Sequence, residues 1–270
     1  MKQICLPAST ATRVPQCYDF DVAGHGHRGR FITFEGLDGC GKSTQIEKLA
    51  NALLAQNLSI VLTREPGGTP AGERIRQLLL DTATVDLSPH AELALMFASR
   101  AQHIEEVIRP ALAEGKMLLC DRFTDSTEAY QGGGRKLGSE PVQALHRILC
   151  GNLQPDLTIL MDSDVAASVE RARRRNKVSR FGKGKGKEKH DENRFEQESR
   201  AFFGRVRHAY LAIAAREPHR VALVDARGTP DETHAKIVEI VQQRLKMPEN
   251  SWLRAGSHLA KASKGGALLE

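Results

Sequence analysis

Residues Gly36 to Thr44 read GLDGCGKST, between the apolar run RFITFE and the helix-forming IEKLANALLAQ. The spacing Gly36-x-x-x-x-Gly41-Lys42-Ser43 is that of a phosphate-binding loop set between a strand and a helix. Gly36, Gly39 and Gly41 free the backbone to curl, so that the N–H groups from Gly36 through Leu37, Asp38, Cys40 and Thr44 can converge on one anion at a helix N-terminus. Lys42 is then placed to reach the outer phosphates of a nucleotide, and the Ser43 hydroxyl to bind Mg²⁺. Cys40 reads as a small packing residue.

Such a loop identifies a phosphate donor and leaves the reaction open. A GTPase needs a guanine-reading Asn-Lys-x-Asp; the nearest match, Asn176-Lys177-Val178-Ser179, lacks the aspartate. A mechanical ATPase ends its second acidic strand in Asp-Glu, whereas MLLCDR ends in Asp121-Arg122. An arginine at a strand end beside the loop points to a second anion, with Asp121 placed to hold Mg²⁺ through water. Arg64, in TREPGG, and Arg100, in FASRAQH, are further candidates. A guanidinium fork suits a phosphate monoester. The three arginines meet only if the strand order brings their segments together. For Arg100 an ion pair with Glu105 or Glu92 is the plainer alternative.

These residues must be positioned by strands expected at Phe31 to Glu35, Leu58 to Thr63, Met117 to Asp121, Leu157 to Asp162 and Val221 to Asp225. Between them Ile46, Leu49, Ala50, Leu53 and Leu54 share one helical face, and Ser88-Pro89 caps a long helix that Pro110 should bend or end. Pro141 opens another, with Val142, Leu145, Ile148 and Leu149 on one side, and Asp231 to Lys246 forms the last. Alternating strands and helices predict an α/β fold of three layers, a parallel sheet covered on both faces, with ligands at the carboxyl ends of its strands.

Composition narrows the class. With 270 residues, 40% hydrophobic and 27% charged, the chain can bury a sizeable core, and no apolar run approaches the length of a membrane span. Residues 1–29 read as a flexible extension without a secretory pattern, and the residues from about Pro248 as a polar tail, so the expected location is cytoplasmic. Five cysteines without a Cys-x-x-Cys pair read as reduced thiols. The net charge of +6 is local: Arg171 to His190 holds ten Lys or Arg against one acid, a local +9, so the remainder carries −3. Aromatics for base stacking are not interleaved there, which argues against specific nucleic-acid binding.

FEGLDGCGKST, LTREPGGT, FASRAQH, DRFTDSTEAYQGGGR, PDLTILMD and RARRR followed by NRFEQES, in this order and spacing, resemble the thymidylate kinase family of bacterial type, over roughly Gly29 to Lys246. The resemblance implies a P-loop nucleoside monophosphate kinase fold with five parallel strands and a lid segment. It also implies transfer of the γ-phosphate of ATP to dTMP, with Mg²⁺, by a homodimer. Arg64 and Arg122 then resemble the clamp on the dTMP phosphate and Arg100 the reader of the thymine edge. Thr127 and Gln131 fall near the base, Tyr130 where it crowds the sugar 2′ position, and Asp38 near the 3′-hydroxyl. The family has Phe four residues before the base-reading arginine; here that position is Met96, and Phe97 is the nearest aromatic.

Relatives with an arginine inside the loop carry it where this chain has Gly39, so the charge must come from the lid, about 171–195. Arg173 and Arg175 are the expected catalytic arginines with Lys42, Asp38 and Arg122, and Arg194 an ATP contact. Lys183 to Lys189 reads as a solvated loop. Two other functions stay open. A deoxynucleoside kinase would need a base such as Glu65 for a neutral hydroxyl. A nucleic-acid-binding ATPase would use the basic segment and show salt-sensitive DNA affinity.

Overall fold

The computed structural model describes residues 28–82, 87–181 and 194–246; of 175–181 and 196 it describes the backbone alone. The first of the five strands, β1 (Arg30–Glu35), is followed by the phosphate loop and α1 (Lys42–Leu54). Next come β2 (Ile60–Arg64), α2 (Pro70–Leu80) and α3 (Pro89–His103). α3 widens into a π-helical turn over Ile104–Ile108 and continues as α4 (Arg109–Ala113), so the helix passes through Pro110 where the sequence predicts a bend or an end. The wide turn takes up the proline ring and its missing N–H. β3 (Met117–Asp121), α5 (Thr124–Thr127) and a second π-helical turn, Glu128–Gly134, lead to α6 (Ser139–Cys150) and β4 (Leu157–Asp162). α7 (Val165–Phe181), α8 (Arg200–Arg216), β5 (Val221–Asp225) and α9 (Pro230–Leu245) complete the fold.

Three of the five strands match their expected bounds and the other two shift by one or two residues. α2 and α8 are not among the expected helices. α2, α3 and α9 start alike, with Thr69, Ser88 or Thr229 accepting a backbone N–H and a proline in the first turn. A hydroxyl cap satisfies an otherwise orphaned amide and proline supplies a preset φ, each cap stabilising by about 1 kcal/mol.

All strands are parallel in the order β2-β3-β1-β4-β5. In this register Asp121 lies beside both Phe34 and Arg64. The order therefore places the carboxyl ends of β2, β3 and β1 side by side, which is the condition for Arg64, Arg122 and the phosphate loop to share a cleft.

Side chains alternate across the sheet. Ile32 and Phe34 face a core built with Leu49, Leu53, Ile237 and Val241 of α1 and α9, while Phe31 faces the opposite core of α3, α6 and Phe123. Thr33 and Glu35 share the Phe31 face and are wholly buried, at polar positions where a central parallel strand is ordinarily apolar. Leu54 is expected on the buried face of α1, and Ile148 and Leu149 on that of α6; all three are exposed, at 53%, 75% and 45%. α6 buries Val142, as expected, together with His146 and Cys150. Cys40, Cys120 and Cys150 are free thiols; Cys5 and Cys17 lie outside the described residues.

α8 packs against the π turn of Glu128–Gly134, and the glycines of QGGGR permit this. A Cβ on Gly134 would meet the Phe202 ring at 2.6 Å, and one on Gly133 would meet Ala209 Cβ at 2.7 Å. Among the described residues no helix is long and apolar enough to cross a membrane.

Candidate active site

The phosphate loop lines a cavity of about 360 Å³ with Arg64, Glu65, Arg76, Asp121, Arg122 and Arg171. Gly36, Gly39 and Gly41 all have positive φ, which turns the backbone inward ahead of α1. Lys42 is buried and donates to the carbonyls of Gly36, at 3.2 Å, and Leu37, at 3.0 Å, holding its ammonium against the loop. Ser43 and Thr44 face the cavity from the first turn of α1. Cys40 is buried beneath the loop, in its expected packing role.

Gly39 is required twice over. Its φ is +81°, and an added Cβ would lie 2.2 Å from the carbonyl oxygen of Ser168, so α7 occupies the space a loop side chain would need. A positive side chain reaches this point of the loop from α7: Arg171 Nε donates to Gly39 O at 2.9 Å. Arg173, the arginine expected from sequence, donates to Glu198 O at 3.4 Å and lines a separate groove with Val165 and Val169. The side chain of Arg175 lies outside the described residues. Arg194, expected at ATP, is not brought to the loop: it donates to Leu79 O at 3.1 Å and to Glu92 at 2.6 Å.

Arg122 follows β3 directly and adopts φ 74°, a left-handed conformation that costs a non-glycine residue on the order of 1–3 kcal/mol. Four side chains hold it there. Nη2 donates to Asp38 Oδ1 at 2.6 Å and to Tyr130 OH at 3.3 Å; Nη1 donates to Ser126 Oγ at 3.0 Å and Tyr210 OH at 3.2 Å. Burial would raise the Asp38 carboxyl, but the charges of Arg122 and Lys42 outweigh it and hold Asp38 well below the usual carboxylate range. Tyr130 OH also donates to Asp38, at 3.2 Å. Arg64 lines the same cavity, half-exposed and paired with Glu73 at 3.1 Å.

A second cavity, of about 210 Å³, adjoins the first and shares Asp38, Glu65, Arg76 and Arg122 with it. Met96, Thr127, Tyr130, Gln131, Leu80 and Phe195 complete much of its wall. Phe97 is not there. It is wholly buried in the α3 core, and the Arg100 guanidinium lies over its ring at 4.9 Å, because one residue along a helix turns a side chain by about 100°. Met96 takes the lining position.

Arg100 pairs with neither Glu105 nor Glu92. Its Nε donates to Glu65 Oε2 at 2.6 Å and Nη2 to Thr127 Oγ1 at 2.8 Å, while Nη1 is buried without a partner. Glu65 also pairs with His103 Nδ1 at 2.9 Å, and His103 Nε2 with Thr63 Oγ1 at 2.6 Å. The Glu65-Pro66 bond is cis.

The family model described as Thymidylate kinase matches residues 34–237. The chain belongs to the thymidylate kinase family. A thymidylate kinase of Trichlorobacter lovleyi is 48% identical over 218 residues, covering 81% of this chain and 99% of that protein. One from Pseudomonas syringae pv. tomato is 48% identical over 219 residues, covering 81% and 98%. The crystal structure of a thymidylate kinase from Ehrlichia chaffeensis superposes with a TM-score of 0.62 at 30% identity, covering 80% of this chain and 99% of that one. Fold and family thus agree with the resemblance carried by the motifs.

The thymidylate kinase motifs contain Glu35 and Ser126 without a role read for either, and Tyr210 lies outside them; the three form the layer behind Arg122. Glu35 accepts from Phe123 N at 2.7 Å, Ser126 Oγ at 2.5 Å and Tyr210 OH at 3.1 Å. An acid ending a central buried strand was the available signal for Glu35; Tyr210 lies far away in sequence, on α8. Burial, reinforced by the charge of Asp125, pushes the Glu35 carboxyl up to about 7, against the lowering by Ser126 and Arg122.

The folded state therefore binds the Glu35 proton more tightly than the unfolded chain, whose carboxyl titrates near 4.5. The resulting stabilisation is complete below the unfolded value and is lost as pH rises through about 7. The melting temperature of wild type relative to Glu35→Gln is expected to fall between about pH 5 and about pH 8. A difference that stays flat across this range would show Glu35 ionised throughout.

Proposed function

We propose that this cleft passes the γ-phosphoryl group of ATP to the 5′-phosphate of dTMP, the loop cavity holding the donor phosphates and the adjoining cavity the acceptor. As a thymidylate kinase the chain produces dTDP and ADP. The observation that carries the assignment of the two cavities is their shared wall: Arg122 and Asp38 belong to both, so two phosphates seated in them meet at one guanidinium. Phosphoryl transfer asks for positioning and neutralised charge more than for covalent chemistry. Lys42 and the loop amides supply this for the donor and Arg122 for the acceptor, while Arg64 and Arg171 add two further positive side chains from the wall of the loop cavity.

In the acceptor cavity the free Arg100 Nη1 and the partnerless Gln131 Oε1 offer a donor and an acceptor to the base, beside Thr127 and Met96. Tyr130, held by Asp38 and Arg122, closes the sugar end and disfavours a 2′-hydroxyl. Asp38 is placed for the 3′-hydroxyl.

The rival reading, a nucleoside kinase with Glu65 as base, is disfavoured because both Glu65 oxygens are already engaged by Arg100 and His103. ADP release with dTMP against thymidine tests the choice, and faster turnover of thymidine sinks it.

Mg²⁺ fits this site. Asp121 Oδ1 is buried without a hydrogen-bond partner, in the cavity that Ser43 also lines. An ion in this place would be bound largely by phosphates and water. Mg²⁺ would neutralise phosphate charge, with Ser43 and Asp121 as its protein partners. Asp121→Asn is expected to raise the Mg²⁺ concentration for half-maximal rate at least about tenfold; an unchanged Mg²⁺ dependence would remove Asp121 from this role.

We also propose a homodimer through α3, whose exposed Ala94 and Ala98 lie between Leu78 of α2 and Ile148 and Leu149 of α6. Light scattering is expected to return twice 29.7 kDa, and a single-chain mass would refute it. The lid, about 171–195, and a cytoplasmic location complete the reading.

A further inference from the structure

Glu92 has no part in the scheme above, yet it is wholly buried beside the base cavity. Its Oε1 accepts from Gln131 Nε2 at 2.8 Å and Arg135 Nε at 3.1 Å. Its Oε2 accepts from Arg135 Nη2 at 3.1 Å and Arg194 Nη2 at 2.6 Å. A carboxylate so engaged offers acceptors only, so the Gln131 amide must turn its NH₂ toward Glu92. Gln131 Oε1, buried and partnerless, is then the group left for a ligand. Arg100 supplies the other half of the pattern, because Glu65 and Thr127 take Nε and Nη2 and leave Nη1.

We propose that Glu92 is a specificity-determining positioning residue. By fixing the Gln131 amide it makes the cavity accept a pyrimidine with an N3–H beside a C4 carbonyl, and reject one with a bare N3 beside an amino group. The inference rests on seating the base in this cavity. In thymine or uracil the N3–H donates to Gln131 Oε1 and the O4 accepts from Arg100 Nη1. Cytosine reverses both: its N3 lone pair faces the Gln131 oxygen, and its amino group faces a guanidinium. In a buried site neither mismatch is relieved by water. Were the Gln131 amide free to flip, the first mismatch would disappear. The choice is therefore made by Glu92 behind Gln131, and Arg135 and Arg194 hold Glu92 itself in place.

The test is steady-state turnover of dTMP, dUMP and dCMP by wild type and Glu92→Gln, whose amide can serve Gln131 as donor or acceptor. The dTMP-to-dCMP ratio of kcat/KM is expected to fall at least about tenfold. The dTMP-to-dUMP ratio should hold within about twofold, because both bases present the same edge. The double variant Glu92→Gln with Gln131→Glu returns an acceptor that cannot flip, with a donor behind it, and should restore the dTMP-to-dCMP ratio. An unchanged ratio in Glu92→Gln, or equal losses on all three nucleotides, overturns the proposal and reduces Glu92 to an anchor for two arginines. If the single variant does not fold, isotope-labelled wild type decides by NMR. The Gln131 side-chain NH₂ should stay protected from exchange when dTMP is added, and its release would overturn the proposal. Wild type that fails to turn over dTMP would instead sink the substrate assignment.

Discussion

Arg122→Ala is expected to lower kcat/KM for dTMP at least about a hundredfold while the KM for ATP stays within about threefold. The asymmetry follows from where Arg122 sits. It lines both cavities, as does its anchor Asp38, but its other anchors, Ser126, Tyr130 and Tyr210, lie on or behind the acceptor side. The ATP phosphates keep the loop amides and Lys42, whereas the dTMP phosphate loses a fork whose planar geometry matches it. Arg122→Lys should fall between, since a point charge replaces a bidentate donor. Steady-state kinetics with each substrate varied in turn checks this. Equal losses for both nucleotides would mean that Arg122 serves the fold, by holding Asp38 and the two tyrosines, more than the acceptor.

The second large effect belongs to Lys42. Lys42→Ala should reduce kcat by about a hundredfold to a thousandfold, because it removes a buried cation where charge develops on the transferred group. The fold should survive, since Lys42 donates only within its own loop, to the Gly36 and Leu37 carbonyls and the Cys40 sulfur, and its nearest acid, Asp38, lies 4.0 Å away and keeps Arg122. A kcat within about threefold of wild type, measured with saturating ATP and dTMP, would show that the loop amides and Mg²⁺ suffice.

Both expectations use residues found by motif, and the layer behind them was not legible in the same way. Asp38, Lys42, Arg100, Arg122 and Gln131 are named by local pattern. The arginine that reaches the loop from the lid is Arg171 and not Arg173, and that depends on how α7 is rotated against Gly39. Met96 and Phe97 are neighbours in sequence, yet one lines the cavity and the other fills the core, because successive helical side chains point in different directions. The apolar positions of α8, Phe202, Phe203, Val206, Tyr210 and Ile213, follow a helical spacing that could have been read. Even then, that spacing says nothing of the Tyr210 hydroxyl reaching Glu35 and Ser126.

Sequence alone determined the five strands, the phosphate loop, the family and several of the residues that line the two cavities. Strands buried on both faces read as short apolar runs, and a phosphate loop is a local structure whose glycines, lysine and serine must stand at fixed spacing. Tertiary structure decided which arginines line the two cavities, which way the Gln131 amide is turned, and that Glu35 and Glu92 are buried behind Ser126 and Gln131. Those outcomes depend on hydrogen bonds between residues 39 to 175 positions apart, as in Gln131 with Glu92 and Tyr210 with Glu35, and such partners meet only once the helices have packed.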